Sequence, residues 1–391
     1  MRALELFLKV ATPTAASIVD DFLSARQGGT LDDFLLTNLR RPVKPGEDPG
    51  AFVSEWQDFA SGARAKARNK DAERAWAQWR AFGGDNDRAR PLHALPAGED
   101  AAESVIRDGV VRIDGCLSAA SAQGLRAFVL ATRDASVALA AEDKEAGAES
   151  LSRVLCPRDV GSELETRWDV RLPWSAEVRA AVHEMMGERD SISSLGHALS
   201  VLSGGDSAEL FECAAIVSTV GCAPQIVHAD TVPTDAGAVL HTVFVALQDI
   251  SEHQGPTRFL PRTHTFPVGS GTSPSSTFCE SADSVIALLR AGDCTLYDSR
   301  TLHSGGPHRL APAQQPTSTH DSPPDDSPPH EPQQAAVSTK PVERVLFYIS
   351  FKHALASDAV LTNADAHGAG SILPSLARQR MPLGSLRSHG V

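Results

Sequence analysis

The sequence predicts an α+β protein with a mainly β core, a sandwich or jelly-roll barrel flanked by helices and preceded by a helical region. Three observations predict it. From about residue 165, short β-rich runs follow one another: WDVRLPW, CAAIVSTV (213–220), VLHTVFVALQDI (239–250), CTLYD (294–298) and RVLFYISF (344–351). Turn chemistry separates them, in SGGD, CAP, GPT and AGD. Helices do not alternate regularly with these runs, which argues against a doubly wound parallel sheet.

Taken in order, residues 1–82 read as helical. SIVDDFLSARQ and TLDDFLLTNLRR place acidic residues early and basic ones late, as the helix dipole favours. Phe52, Trp56 and Phe59 form one aromatic stripe, and Trp76, Trp79 and Phe82 a second; both read as core anchors of a helical subdomain. RAKARNK at 64–70 reads as a solvated helix face. The Gly-, Pro- and Asp-rich stretch 83–100 reads as a linker. The remainder, 101–391, reads as the β domain. It opens with a strand and turn in DGVVRIDGCL, then a serine-capped helix in SAASAQGLRAFVLATRDASVALAAE. SAEVRAAVHEMMG (175–187) predicts a further helix. Residues 311–341 hold eight prolines and no Leu, Ile, Phe, Tyr or Trp. Such a stretch has too little apolar surface to offset its ordering entropy, so it reads as a disordered insertion.

Composition narrows the function classes. The 391 residues carry 49 acidic against 36 basic side chains, a formal net charge of −13. That balance argues against a nucleic-acid binder, which needs a basic face. No stretch approaches the ~18 uninterrupted apolar residues of a membrane span. Glu5 and Lys9 interrupt the first apolar run, against a secretory signal. The six cysteines include no C-x-x-C pair, which argues against a zinc ribbon or a disulfide scaffold. A cytoplasmic location is expected, with organellar import left open.

The chemistry concentrates in two places. QIVHADTVP contains His228-Ala229-Asp230, the one H-x-D or H-x-E triplet in the chain. On an extended backbone residues i and i+2 share a side, so this imidazole and carboxylate can converge on a metal. In DSRTLHSGGPH, His303 follows the apolar strand CTLY and precedes a double glycine. Two histidines and a carboxylate form a facial triad with three open positions, which suits iron(II) binding a co-substrate and dioxygen together. A hydrolytic zinc site normally leaves one position open.

RVLFYISF places Arg344 at the mouth of a strand. Alternation puts Arg344, Leu346, Tyr348 and Ser350 on one face and Val345, Phe347, Ile349 and Phe351 on the other. A buried guanidinium there fits the distal carboxylate of a dicarboxylate, and a surface arginine at a strand end is the competing reading.

QIVHADT, LQDISEHQGPTRFLPRTH, AGDCTLYDSRTLHSGGP and RVLFYISF, in this order, resemble the phytanoyl-CoA dioxygenase family of non-haem iron(II), 2-oxoglutarate-dependent oxygenases. The resemblance covers about residues 105–355. It implies a double-stranded β-helix, a cupin-like jelly roll with added helices. It also implies that His228, Asp230 and His303 bind iron and act as the catalytic centre, and that Arg344 binds the 2-oxoglutarate carboxylate. The implied cofactors are iron(II), 2-oxoglutarate as co-substrate and dioxygen, with ascorbate as an accessory reductant. Two departures stand out. The gap from His303 to Arg344 is 41 residues where relatives have about ten, and the proline-rich insertion accounts for nearly all of the excess. His308 and Arg262 stand where relatives often have Asn and Gly.

Other residues rank lower. Gln225 is a candidate hydrogen-bond partner of the co-substrate or a solvated loop side chain. Asp298 and Arg300 read as a structural ion pair, with support of the metal ligands as the alternative. His264 reads as closing a turn, His241 as a core histidine, and Trp168 and Trp174 as core rather than a substrate wall.

The expected function is hydroxylation of a C–H bond in a small organic or lipid-like substrate, with release of succinate and carbon dioxide. The carboxylate of Asp230 favours hydroxylation over halogenation, which needs that position vacant for halide. Two alternatives remain open: a non-catalytic jelly-roll binding module, and a hydroxylase of protein side chains whose 311–341 loop helps hold a polypeptide. Expected partners are a small-molecule substrate, no nucleic acid and no membrane. No motif specifies the substrate or the oligomeric state.

Overall fold

Runs of β-branched and aromatic residues that are apolar at every position need both faces covered. The five β-rich runs of the sequence form strands here, most of them buried on both faces. β3 (Arg167–Arg171), β4 (Glu209–Ser218), β5 (Leu240–Ala246), β8 (Cys294–Asp298) and β10 (Arg344–Lys352) join β2 (Val110–Ile113) in one six-stranded sheet. Its order is β2-β8-β5-β10-β4-β3, and every neighbouring pair is antiparallel. The structure, a computed structural model, describes residues 73–82, 90–142, 166–187, 191–192, 194–231, 237, 239–267, 276–309, 343–356 and 374–386. The helices expected before residue 73 and the insertion expected at 311–341 lie outside the described residues.

Alternation divides this sheet into two faces. Val345, Phe347, Ile349 and Phe351 of β10 point outward with Cys213, Ala215 and Val217 of β4 and Val243 and Val245 of β5. They pack against helices α1 (Ala101–Asp108), α2 (Ala119–Glu142), α3 (Ala176–Met186) and α4 (Leu195–Leu202). The serine cap read from the sequence is present, Ser118 Oγ accepting from the Ser121 amide, and Ser175 Oγ caps the next helix by accepting from the Val178 amide. Trp168 and Trp174 are half-buried against this outer core, and the Arg133 guanidinium lies 5.1 Å from the Trp168 ring centre.

The opposite face carries Ala214, Phe244, Tyr297, Leu346 and Tyr348, which share a second core with Phe259, Val285 and Ala287. Phe259 and Val285 belong to a smaller sheet of order β1-β7-β6-β9, made by β1 (Arg90–Pro91), β6 (Thr257–Phe259), β7 (Val285–Ile286) and β9 (His303–Gly305). Its antiparallel pairs are β6·β7 and β6·β9, while β1 lies parallel to β7. Part of the stretch expected as a linker is therefore a strand, and Ala94 makes a further bridge to Arg112. Pro91 donates no hydrogen bond, which restricts it to an edge position such as this.

From β4 onward the chain passes repeatedly between the sheets: large (β4), small (His228, bridged to His303), large (β5), small (β6, β7), large (β8), small (β9) and large (β10). That alternation is the winding of a double-stranded β-helix, a mixed α+β jelly roll. Among the described residues no strand ladder closes the two sheets into a barrel. All described residues belong to one unit, Asp71–Val391, and no described helix is long and apolar enough to cross a membrane.

The second aromatic stripe sits on this β unit. Trp79 and Phe82, on the helical segment 73–81 and its terminal turn, stack against Arg258 of β6. The stripe anchors to strand β6 and, through Phe82, to an apolar cluster that includes Phe278 and Cys279 of the helix Ser276–Ser281.

Candidate metal centre

β4 ends at Ser218, and the chain turns at 219–221 to enter the small sheet. His228 and His303 then form a two-hydrogen-bond antiparallel bridge, N to O at 2.9 Å and 2.7 Å. Just beyond, the amides of Asp230 and Thr231 both donate to the Ser299 carbonyl, at 2.8 Å and 3.1 Å. The H-x-D triplet is thereby tied to the short connection that delivers His303 from β8.

Both imidazoles are oriented by their own backbone. Nδ1 of His228 lies 2.7 Å from the Ile226 carbonyl and Nδ1 of His303 3.0 Å from that of Thr301. A carbonyl only accepts, so each Nδ1 carries the proton and each Nε2 keeps its lone pair for a metal. The two Nε2 atoms each lie 3.6 Å from Oδ1 of Asp230. The three ligand atoms fall within 4.8 Å of one another, the one such cluster found among the described residues. Val227 and Ala229 are buried in a separate apolar cluster, on the far side of the strand from the ligands.

A tyrosine completes the arrangement. The Tyr297 hydroxyl donates to the other Asp230 oxygen, Oδ2, at 2.8 Å. Burial and the neighbouring Asp230 charge push the phenol well above its usual range, which keeps it a donor. Rings of Phe244, Phe259 and Tyr297 surround His303 at centroid distances of 6.3, 5.8 and 5.0 Å. In sequence, CTLYD marks a strand, and nothing in it assigns its tyrosine a role. Only the register of β8 against the metal-ligand loop reveals one.

Arg344 is 2% exposed at the start of β10, on the inner face as alternation predicts. Its guanidinium donates to Ser218 Oγ at 3.1 Å and to the Gly255 carbonyl. Ser218 also pairs with Arg167 of β3, whose Nε donates to the same hydroxyl at 3.3 Å and whose Nη2 donates to the Ala223 carbonyl at 3.0 Å. Two buried guanidiniums thus converge on one serine. Arg167 is the second functional candidate the sequence did not disclose, because its role depends on which strands flank β4. His308 lies beside them, with Nδ1–H donating to the Ser218 carbonyl at 3.1 Å. Burial, then the charge of Arg344, pushes it down to about 4, so it is neutral near pH 7.

Gln225 is neither solvated nor remote. Its side-chain oxygen accepts from the Gly305 amide at 2.9 Å, and its backbone amide donates to the Gly305 carbonyl at 2.9 Å. A Cβ on Gly305 would fall 2.7 Å from that side-chain oxygen, so the glycine after His303 is what lets Gln225 approach.

The lower-ranked residues also find places. Arg300 grips Asp298 through Nε at 3.0 Å and Nη2 at 2.6 Å. Burial would raise the Asp298 carboxyl, but Arg300 and His241 bring it below the usual range. His241 is a buried core histidine pushed down to about 4 by burial, 3.5 Å from Ser203 Oγ. His264 lies in a 3₁₀ turn and donates to the Ile106 carbonyl at 3.0 Å. Arg262 opens that turn at φ 68°, a conformation glycine adopts without strain. It is held there by its amide on the Asp108 carbonyl at 2.8 Å and its Nε on the Asp108 carboxylate at 3.1 Å.

Residues 105–310, just over half of the chain, match the family model described as phytanoyl-CoA dioxygenase (PhyH). No curated protein matches the chain. Solved structures resembling it include the epimerase SnoN in complex with Fe3+, alpha ketoglutarate and nogalamycin RO. That structure is 18% identical over 70% of this chain and 94% of its own, with a TM-score of 0.41. The carbocyclase SnoK from nogalamycin biosynthesis is 15% identical over 75% and 94%, at 0.42. HygX from Streptomyces hygroscopicus, with nickel, 2-oxoglutarate and hygromycin B bound, is 12% identical over 73% and 100%, at 0.40.

Proposed function

The chain belongs to the phytanoyl-CoA dioxygenase family of iron(II)- and 2-oxoglutarate-dependent oxygenases, and we propose that His228, Asp230 and His303 hold the iron and that Arg344 holds the distal carboxylate of 2-oxoglutarate. The observation that carries this reading is the convergence of two Nε2 lone pairs and one carboxylate oxygen, each imidazole fixed by a backbone carbonyl. Two imidazoles and one carboxylate, without a thiolate, suit iron(II) and leave room for further ligands. With 2-oxoglutarate and dioxygen, the bound iron supplies the oxidation of a C–H bond, with succinate and carbon dioxide as co-products. The protein's own residues orient and desolvate. Ser218 and the Gly255 carbonyl fix the Arg344 fork, and Arg167 adds a second positive charge beside it. Gly255 turns at φ 68°, and a Cβ there would meet the Gly306 carbonyl at 2.3 Å, so this support needs glycine.

The outcome for the substrate is proposed to be hydroxylation, since Asp230 occupies the position a halide would need. The inner face of the large sheet favours a small polar substrate over an acyl chain. Tyr348 donates to Asp169 at 2.8 Å, Ser350 donates to Glu212, and Thr242 lies 3.0 Å from Ser350 Oγ. Asp169 and Glu212 are only partly buried, so this part of the face is polar where an alkyl chain would need apolar walls.

Adding iron(II) and 2-oxoglutarate without oxygen is expected to produce a weak visible charge-transfer band in the wild type and none in His228→Ala. A wild type without the band, or a variant that keeps it, overturns the assignment. Tyr297→Phe removes the hydroxyl that orients Asp230 and leaves the ring packing intact. Loss of such an outer partner is expected to weaken iron(II) binding about 10- to 100-fold, read by chelator competition. Unchanged affinity would mean Asp230 needs no such support.

A further inference from the structure

We propose that the helical segment 73–82 is a clasp on the metal centre, and that Gln78 is a positioning residue for His228; this rests on the assignment of His228 as an iron ligand. The segment precedes the family-matched residues 105–310.

The strand bearing His228 is an edge. On one side the amides of Gln225 and His228 donate to carbonyls of β9. The Val227 amide, one residue before the ligand, instead donates to Oε1 of Gln78 at 2.8 Å. Gln78 is 1% exposed and Val227 equally buried, so water does not readily replace this acceptor. A buried edge amide needs such a partner, and a shift in Val227 moves His228 with it.

Side chains make the same connection. Val227 and Ala229, the residues on either side of His228, face an apolar cluster with Leu260 and Leu302 to which Ala81 and Phe82 of the segment contribute. Keeping these two turned outward keeps His228 and Asp230 turned inward, because neighbours on an extended strand point oppositely. Two cations hold the segment down. The Arg258 guanidinium lies 4.5 Å from the Phe82 ring centre and 5.3 Å from that of Trp79. That of Arg309 lies 5.6 Å from Trp79 and 6.0 Å from Trp76. Arg258 pairs in register with Ser304, the residue after the ligand His303, so the clasp reaches both ligand-bearing strands.

The test compares Gln78→Met, of similar length but without an acceptor, with Gln78→Glu, which restores one, in the full chain. Iron(II) affinity is measured by anaerobic chelator competition and the unfolding midpoint on the metal-free protein. Gln78→Met is expected to bind iron(II) about tenfold more weakly, the scale of losing an outer partner of a metal ligand. Its metal-free midpoint should fall, because the buried Val227 amide loses its acceptor, but by less than the lost iron(II) affinity would require if stability alone carried it, and Gln78→Glu should recover most of the affinity. Wild-type affinity in Gln78→Met overturns the proposal. So does a loss in both variants that merely follows a fall in the unfolding midpoint, which would make Gln78 structural only. A wild type that binds iron(II) no better than His228→Ala overturns the metal-centre reading itself, and the clasp with it.

Discussion

Asp230→Ala is expected to lower succinate formation to the level of the metal-free protein. The carboxylate is the only anionic group of the triad, and it lies 3.6 Å from each imidazole Nε2, so its loss leaves two neutral donors for a dication. It also removes the Asp230 acceptor of the buried Tyr297 hydroxyl, which keeps Thr242 beside it. Metal linkage gives a second readout. A ligand present at about a hundredfold its Kd stabilises the fold by roughly 2.7 kcal/mol, so iron(II) should raise the wild-type unfolding midpoint and leave that of Asp230→Ala unmoved. Asp230→Asn separates charge from shape: it keeps an oxygen for Tyr297 but not the negative charge, and should fall between the two. Wild-type succinate release from Asp230→Ala would remove Asp230 from the centre, whatever the two histidines do.

Legibility in the sequence followed physical distance along the chain. CTLYD and RVLFYISF are readable as strands because β-branched and aromatic residues crowd them, and they form β8 and β10. β6, β7 and β9 are two or three residues long, too short for any periodicity, so the small sheet was invisible until its partners were seen. α4 was missed as well: its Ser194 cap stands in the serine-rich stretch SISS, which looks like a loop. In the site, His228 and Asp230 were legible because two residues on one strand suffice. His303 was legible through its strand and the glycines after it. Tyr297, Arg167 and Gln78 are not, since each makes its contact through a register or a docking that no local pattern encodes: Tyr297 across to Asp230, Arg167 beside Ser218, Gln78 onto Val227. The stripe of Trp76, Trp79 and Phe82 shows the same limit. Periodicity revealed a face to be buried but not the surface that would bury it.

Arg344→Ala is expected to raise the KM for 2-oxoglutarate while leaving iron(II) binding in its absence unchanged. Removing one partner of a buried, hydrogen-bonded charge pair costs about 2–5 kcal/mol, roughly 30- to 5000-fold in affinity. The position is fixed despite the 41-residue gap after His303, because β10 pairs in register with β4 from Arg344↔Ser218 onward. Insertions between β9 and β10 can therefore vary in length without moving the guanidinium. Arg344→Lys keeps the charge but loses the planar fork that reaches Ser218 and the Gly255 carbonyl together, and should show an intermediate KM. Arg167 shares the Ser218 hydroxyl, so its positive charge remains in Arg344→Ala and holds the loss toward the lower end of that range. An unchanged KM in Arg344→Ala would shift the anion-holding role to Arg167. A loss of iron(II) affinity alongside the KM effect would instead mean that Arg344 supports the fold around the metal, since its hydrogen bonds tie β10 to β4 and to the loop at Gly255.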